Sequence, residues 1–516
     1  MAEEAAVQKI NVRCCIAGGG PAGMVLAYLL ARAGVEVLVL EKHVDFLRDF
    51  RGDTIHPSTL EVMYELGLLE EFLKLPHDEL RELSAEINGL QFTVGDFTHV
   101  PGHCKFIALM PQWDFLNFMA DRAKRYPEFN LRMQAEVTDV IFEGDRVVGV
   151  RAETQLGPVE IRAELVIGAD GRRSVVREKA ELEVETFGSP IDALWMRIPR
   201  KPSDPPQTFG HIDSGRVLVM IQRNDYWQCA FVIPKGGFDA IREKGLQAFH
   251  DDIVRLQPFL LGRENELKSW DDIKLLTVEI DRLKKWHRPG LLCIGDAAHA
   301  MSPIGGVGIN LAIQDAVAAA NILAPAFQRG TTPGTIPVMD ALSEAISPAE
   351  GALPAAIAMG LTPALEGVPG AHINPLLALS AHVAPSRVPK LSSAFLRSRF
   401  NASGASAPGR AGNVPAPSIT TGSHSQEPAY SSVTENDLAA VQRRREFPTR
   451  MMQRIQVAIQ NRVISRVLSA NKQIEVPLVV KLLCRFAILR RIPAYIVGIG
   501  FRPEHVETLD ATTQEK

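Results

Sequence analysis

From Ile10 to Ala17 the chain is a nearly unbroken apolar run, followed by three glycines, an amphipathic stretch from Pro21 to Ala33 and a second apolar run from Val35 to Leu40. This order predicts strand, tight turn, helix and strand, the beginning of a parallel α/β unit. From about Asp192 to Val278 the texture changes to short apolar runs, RVLVMIQ and YWQCAFVIP among them, separated by Gly, Asn and Asp. Such alternation predicts antiparallel sheet. After Leu291 the first texture returns as the strand LLCIG, a Gly-rich turn, and a helix from Gly308 to about Leu323. A charged helical pattern, NDLAAVQRRREFPTRMMQRIQ, resumes from Glu435.

Residues 325–433 interrupt this order. Fourteen of the 34 prolines and none of the five tryptophans fall between residues 325 and 430. A stretch of that composition buries too little to offset its ordering entropy, so the expectation is a mostly disordered, Pro/Ala/Ser-rich insertion. The rest of the 516 residues suffices for two or three domains. With 46% hydrophobic and 22% charged residues, wholesale disorder and a polytopic membrane protein are both poor fits. The net charge of -4 supplies no basic field for nucleic acid. Six cysteines, Cys14, Cys15, Cys104, Cys229, Cys293 and Cys484, show no C-x-x-C spacing and lie among apolar neighbours, and the thirteen histidines have no metal spacing. They read as reduced thiols in a cytoplasmic protein with no metal site. The acidic opening MAEEAAVQK is unlike a signal peptide.

Three stretches carry candidate chemistry. Gly18, Gly20 and Gly23 form a G-x-G-x-x-G directly after a strand, with Ala22 inside it, opening a helix. The first glycine permits the turn, the second lets backbone approach a pyrophosphate, and the third lets helix pack on strand. Free N–H groups at the helix start attract phosphate. Glu41 ends the second strand, where a carboxylate can accept from ribose hydroxyls. The second stretch is IGADGRRSVVR, residues 167–177, and the third is GLLCIGDAAHAMSPIGGVGINLAIQDA, residues 290–316.

Together, in this order, the three stretches resemble the motifs of the class A flavoprotein monooxygenases, the family of p-hydroxybenzoate hydroxylase and of phenol and polyketide hydroxylases. The first is similar to the family's ADP-binding fingerprint. The second resembles its Asp-Gly motif through Asp170, Gly171, Ser174 and Arg177, and the third its Gly-Asp motif through Gly295, Asp296, Pro303, Gly306, Gly308, Ile309 and Asn310. Arg51 and Gln112 match further positions that contact the flavin or lie beside it. The resemblance implies an α/β fold: a glutathione-reductase-like FAD-binding domain with a mixed parallel sheet (1–75, 105–180 and 285–324), an antiparallel-sheet substrate domain (76–104 and 181–284), and a C-terminal helical segment (434–516). It also implies bound FAD, NADH or NADPH as a transient co-substrate, and O2, with a flavin C4a-hydroperoxide hydroxylating an aromatic or polyketide-like small molecule. The glycines of the third stretch then acquire a physical purpose. They leave backbone uncovered for a flat ring, and the helix behind them aims its positive end at the anion of reduced flavin.

No second G-x-G-x-x-G follows a strand, since Gly498-Ile-Gly500 lacks the third glycine, so a separate nicotinamide domain is not expected. The redox C-x(4)-C of disulfide reductases and the Trp-x-Trp-x-Ile-Pro of flavin halogenases are also missing. An FAD epoxidase or dehydrogenase on the same fold is an alternative, as is an idle flavin-binding protein using the insertion for interaction. Pro303 is expected to place backbone at the flavin edge. Strand alternation puts Tyr226 and Gln228 on one face as weak active-site candidates and Trp227 on the other. For His299 a packing or hydrogen-bonding role is preferred to acid–base work. The apolar segment Val476–Phe501 is broken by Lys481, Arg485, Arg490, Arg491 and Pro493. It reads as a covering C-terminal layer, with contact to a membrane surface as the less favoured alternative.

Overall fold

The computed structural model describes residues 8–47, 54–205, 209–213, 215–223, 225–329, 432–470, 476 and 478–513. The candidate Arg51 and all of the expected insertion except 325–329 and 432–433 lie outside them.

The opening pattern forms strand β1 (Gln8–Ala17), helix α1 (Pro21–Arg32) and strand β2 (Val37–Glu41). Strands β3 (Gly157–Gly168) and β4 (Leu291–Cys293) come from much later in the chain. They join one eight-stranded sheet whose spine runs His287–Arg288, β4, β3, β1, β2 and Phe129–Met133. The hairpin Ala135–Glu143 with Arg146–Thr154 pairs antiparallel onto β3. The contacts of β1 with β2 and β3, and of β3 with β4, are parallel. Their register sets Ala17 beside both Gly168 and Leu40, and Gly168 beside Cys293. Four chain segments therefore leave the sheet together at its carboxyl edge, where open parallel sheets bind ligands.

Helix α2 (Gly308–Arg329) packs against α1. Every residue of α1 from Ala22 to Ala31 is buried, because the sheet, α2 and the helix Gln112–Ala123 enclose it. Leu26, Leu29 and Leu30 each contribute roughly 1.5–3 kcal/mol by that burial. By length and composition α2 could span a membrane, yet most of it is buried in this core. It also runs past the expected end near Leu323, through Pro325 to Arg329. Packing overrides the proline: Ala326 and Phe327 are buried, and Arg13 donates to the Phe327 carbonyl at 2.7 Å with its guanidinium over that ring.

The middle of the chain forms a seven-stranded sheet in the order Lys274–Leu276, Ile191–Pro199, Tyr226–Pro234, Arg216–Gln222, Phe209–Asp213, Glu82–Ile87 and Leu90–Asp96. It is antiparallel as expected except where Phe209–Asp213 runs parallel to Glu82–Ile87, a strand recruited from between the helices Pro57–Glu65 and Gln112–Ala123. One face closes on the helix Leu246–Leu256 through Leu194, Met196, Leu218, Trp227, Phe249 and Ile253.

Helix α3 (Glu435–Ile459) begins with a capping box, in which Thr434 and Asp437 satisfy each other's backbone N–H groups. It lies on α2 and buries Arg445, which is 1% exposed. Arg445 meets Asp315 of α2 at 3.0 Å and Glu504 of the C-terminal segment at 3.3 Å. Asp315 also accepts from His299 at 2.5 Å and from the Gly295 N–H at 3.1 Å. Burial alone would raise the Asp315 carboxyl, but His299 and Arg445 hold it below the ordinary carboxylate value. Arg445→Ala would remove the buried cation shared by Asp315 and Glu504, leaving the first to His299 and the second to Arg444, so a urea titration is expected to show a loss of about 3 kcal/mol. A loss within about 0.5 kcal/mol would mean that the network contributes nothing to holding α3.

Candidate functional site

The first glycines are fixed by contacts that leave no room for a side chain. Gly18 has φ +105°, and a Cβ on it would lie 2.4 Å from the Ala169 carbonyl oxygen. On Gly23 a Cβ would come within 2.0 Å of the Gly18 oxygen, so this glycine lets α1 close on the turn. Gly20 differs, because a Cβ there meets no protein atom within 4 Å. It is the N-cap of α1 and carries no side-chain cap, which leaves the helix's first N–H groups facing open space. Glu41, at the end of β2, accepts from the Gly19 N–H at 3.0 Å and from His43 Nδ1 at 2.6 Å. Burial pushes its carboxyl up, and the hydrogen bonds from His43 and Gly19 bring it net below its ordinary value.

The turn after β3 lies against the first loop, for the Asp170 Cα is 2.8 Å from a Cβ built on Gly18. The Asp170 carboxylate accepts from Ser174 Oγ at 2.5 Å and from the Val176 N–H at 3.1 Å, tying down the short helix that follows. Arg177 pairs with Asp281 at 3.4 Å, so its guanidinium also serves the fold. Gly171 has φ +84° and open space where a Cβ would stand. Arg172, which sequence reasoning did not single out, pairs with Asp296 at 3.1 Å and donates to the Met301 carbonyl at 3.1 Å. Its Nη1 is buried with no hydrogen-bond partner in the protein. A buried guanidinium nitrogen without a partner beside a two-thirds-buried carboxylate suits a polar, anionic ligand.

After β4, Gly295 closes the triangle. At φ +59° its Cβ would stand 3.1 Å from the Ala22 Cβ of α1 and 3.2 Å from the Ala312 Cβ of α2. All three stretches therefore meet at one place. Pro303 starts the turn Ile304–Gly306, Gly308 is the first residue of α2, and Ile309 is buried just inside it. Asn310 uses its whole side chain within the protein: its Oδ1 accepts from the His56 N–H and Thr59 Oγ1, and its Nδ2 donates to the Thr54 and Gly306 carbonyls. Sequence reasoning also missed the device that holds this loop. Gln453 donates to the Ala300 carbonyl at 3.1 Å, Gln456 donates to the Ser302 and Ile304 carbonyls at 2.9 Å each, and Gln460 donates to Ser302 Oγ at 2.7 Å. These three glutamines are buried at spacing i, i+3, i+7, the polar stripe that could have revealed them.

Residues 11–335 match the family described as FAD binding domain. The chain belongs to this family of FAD-dependent flavoprotein monooxygenases. The flavoprotein is 33% identical over 319 residues to the 6-methylpretetramide 4-monooxygenase of Streptomyces rimosus, spanning 61% of this chain and 76% of that protein. It is 27% identical over 325 residues to the dialkyldecalin synthase of Streptomyces rugosporus, spanning 58% of this chain and 63% of that one. The crystal structure of PqsL, described as a probable FAD-dependent monooxygenase from Pseudomonas aeruginosa, matches with a TM-score of 0.53 at 24% identity, over 65% of this chain and 90% of that chain.

FAD is thus the cofactor of the flavoprotein, and the open glycines, the uncapped helix start and the unpartnered Arg172 nitrogen fit it. Gln112 opens the helix Gln112–Ala123 and is half-buried. His299 is 1% exposed beside Trp286 and pairs with Asp315, in keeping with the packing role. On the seven-stranded sheet, Trp227 is buried on the far face and donates to Asp204 at 2.8 Å. Gln228 is buried on the near face, where Arg223 donates twice to its Oε1 at 3.2 Å. Tyr226 stands at the rim of that face under the Arg197 guanidinium. The near face meets the glycine turn itself, since Ile304 packs against the cluster of Ile191, Val217, Val232 and Val467.

Gly20→Ala is expected to leave thermal stability unchanged and to weaken FAD binding by about 1.4 kcal/mol or more, a factor of ten, in a flavin fluorescence titration. Unaltered affinity would show that no ligand approaches this backbone. A second expectation concerns His56, which is fully buried, holds the Val497 carbonyl through Nδ1 at 2.7 Å, and leaves Nε2 without a partner. Burial pulls its pKa down from 6.5 to about 4. The neutral ring contributes its stability above pH 6.5. That contribution, on the order of 3 kcal/mol, is lost as pH falls from 6.5 towards about 4. His56→Asn should flatten this window in urea titrations across pH, and an unchanged slope would remove His56 as its cause.

Proposed function

We propose that the flavoprotein is a single-component monooxygenase that uses NAD(P)H and O2 to hydroxylate an aromatic or polyketide-like small molecule by the route expected from its sequence. The convergence of three separate glycine turns at one carboxyl edge carries this reading, because it provides an extended cradle of bare backbone and two helix starts. When bound, FAD supplies the redox and oxygen-activating chemistry. The chain's own groups bind, orient and exclude water. Gly20, Ala22 and Gly23 present N–H groups to the pyrophosphate, since those of Gly18 and Gly19 are taken by the Leu40 carbonyl and Glu41, and Asp296 with Arg172 offers an acceptor and a donor to the connecting chain. The start of α2 places positive dipole beside the ring. The substrate then lies on the near face of the seven-stranded sheet, with Gln228 oriented by Arg223 as its polar contact and Tyr226 at the rim.

One relative is named for 6-methylpretetramide, which supports a polyketide-like substrate. Another relative is named a synthase, so oxygen consumption has to be measured directly. The purified protein should be yellow, and its NAD(P)H oxidation should rise with a polycyclic phenolic substrate, consume O2, and yield a product heavier by one oxygen atom. Stimulated oxidation without oxygen uptake would instead identify a dehydrogenase. Gln228→Leu should raise KM for that substrate on the order of tenfold, as expected for one lost hydrogen bond, with FAD content unchanged. No change in KM would take Gln228 out of the substrate site.

A further inference from the structure

Between Phe447 and Pro503 the sequence holds ten Lys or Arg and a single acidic residue, Glu475, in a chain whose net charge is -4. Within this stretch lie α4 (Leu478–Arg485) and α5 (Arg491–Gly498), joined by the turn Ala487–Arg490. Both helices pack on the edge strand Leu90–Asp96 of the seven-stranded sheet. In α4, Val480, Leu483 and Cys484, at spacing i, i+3, i+4, are half-buried. The opposite stripe, Leu478, Lys481, Leu482 and Arg485 at i, i+3, i+4, i+7, is exposed. Leu478 is 71% exposed, Leu482 42%, Phe486 51% and Ile488 65%. The stripe is held in shape rather than frayed, because Arg490 donates to the Leu483 and Cys484 carbonyls at 2.9 and 3.0 Å.

An amphipathic helix ordinarily turns its large apolar side chains inward. Here they point outward, interleaved with cations that make no ion pair among the described residues: Lys481, Arg485 and Arg491. We infer that this face, from Leu478 to Arg491, docks on an anionic lipid surface, with Leu478, Leu482, Phe486 and Ile488 entering the headgroup boundary and the basic residues meeting lipid phosphates. The alternation suits that occupant, because long basic side chains reach up to the headgroups while their neighbours go into the acyl region. The remainder of the chain carries the opposite net charge, so attraction to an anionic surface is confined to this end and orients the molecule on it. The inference is independent of the reaction catalysed.

The test uses the full-length, FAD-loaded protein in co-sedimentation with phosphatidylcholine vesicles, with and without phosphatidylglycerol, at low and near-molar salt. Binding is expected only with phosphatidylglycerol and only at low salt. Lys481→Glu with Arg485→Glu should weaken it by about fivefold or more for each cation removed. Leu482→Ser with Phe486→Ser should abolish it, with flavin absorbance and melting temperature unchanged in both variants. Absence of binding to phosphatidylglycerol vesicles, or equal binding to both vesicle types, would overturn the inference. So would a dimer, seen by light scattering, that the Leu482→Ser, Phe486→Ser variant dissolves while the parent ignores vesicles. Should either variant fail to fold, the lipid and salt dependence of the parent protein still decides.

Discussion

The site depends on three close approaches at glycine, two of them onto backbone and too close for any side chain. Gly18 lies against Ala169, Gly23 against Gly18, and Gly295 against Ala22 and Ala312. The first and third join elements from distant parts of the sequence and the second closes α1 on its own turn, so together they fix the carboxyl ends of β1, β3 and β4 and the starts of α1 and α2 in one place. Two helix N-termini in that place give two positive dipole ends at one edge of the sheet. Since protein contacts alone already set these turns, ligand binding need spend little free energy on ordering them.

The loop from Gly295 to Gly306 cannot be held in the same way. Bare glycine backbone has few apolar contacts, and its buried carbonyls need partners. Helix α3 supplies them through Gln453, Gln456 and Gln460, and Arg445 joins α3 to Asp315, the same carboxylate that accepts from Gly295. A helix that follows the site by more than a hundred residues is thereby part of it. Both ends of the intervening stretch are tied to the core: Arg329 pairs with Asp437 at 2.5 Å, and Ser432 bonds Glu164, which in turn pairs with Arg13. The chain can accordingly carry a long interruption between α2 and α3 while the packing of these two helices stays continuous.

What the sequence made legible follows this division. Glycines at fixed offsets after apolar runs report a backbone requirement, and backbone requirements survive translation into local pattern. Hence the fold class, β1, α1, β2, and the meeting of three motifs were readable from Gly18, Gly23 and Gly295. Side-chain partnerships were not. Nothing local distinguishes Arg172 from Arg173, yet only the first reaches Asp296, 124 positions away. Asn310 matched a motif, but the match did not show that its side chain ties His56 and Thr59 to Thr54 and Gly306. The parallel pairing of Phe209–Asp213 with Glu82–Ile87 was equally invisible, because the two strands are joined only in space.

The same reasoning explains why the reaction class is easier to read than the substrate. The cofactor is gripped by backbone, and its demands recur as glycines. The proposed substrate face is built from side chains of an ordinary strand, where Gln228 and Trp227 differ only in which way alternation turns them. Alternation separates the faces, but which face meets the glycine turn is decided by Ile304 packing on the cluster of Ile191, Val217, Val232 and Val467. Substitutions on that face leave the glycine cradle untouched. Substrate choice can therefore diverge among relatives while the cofactor site stays fixed, as the different reactions named for relatives sharing this domain attest.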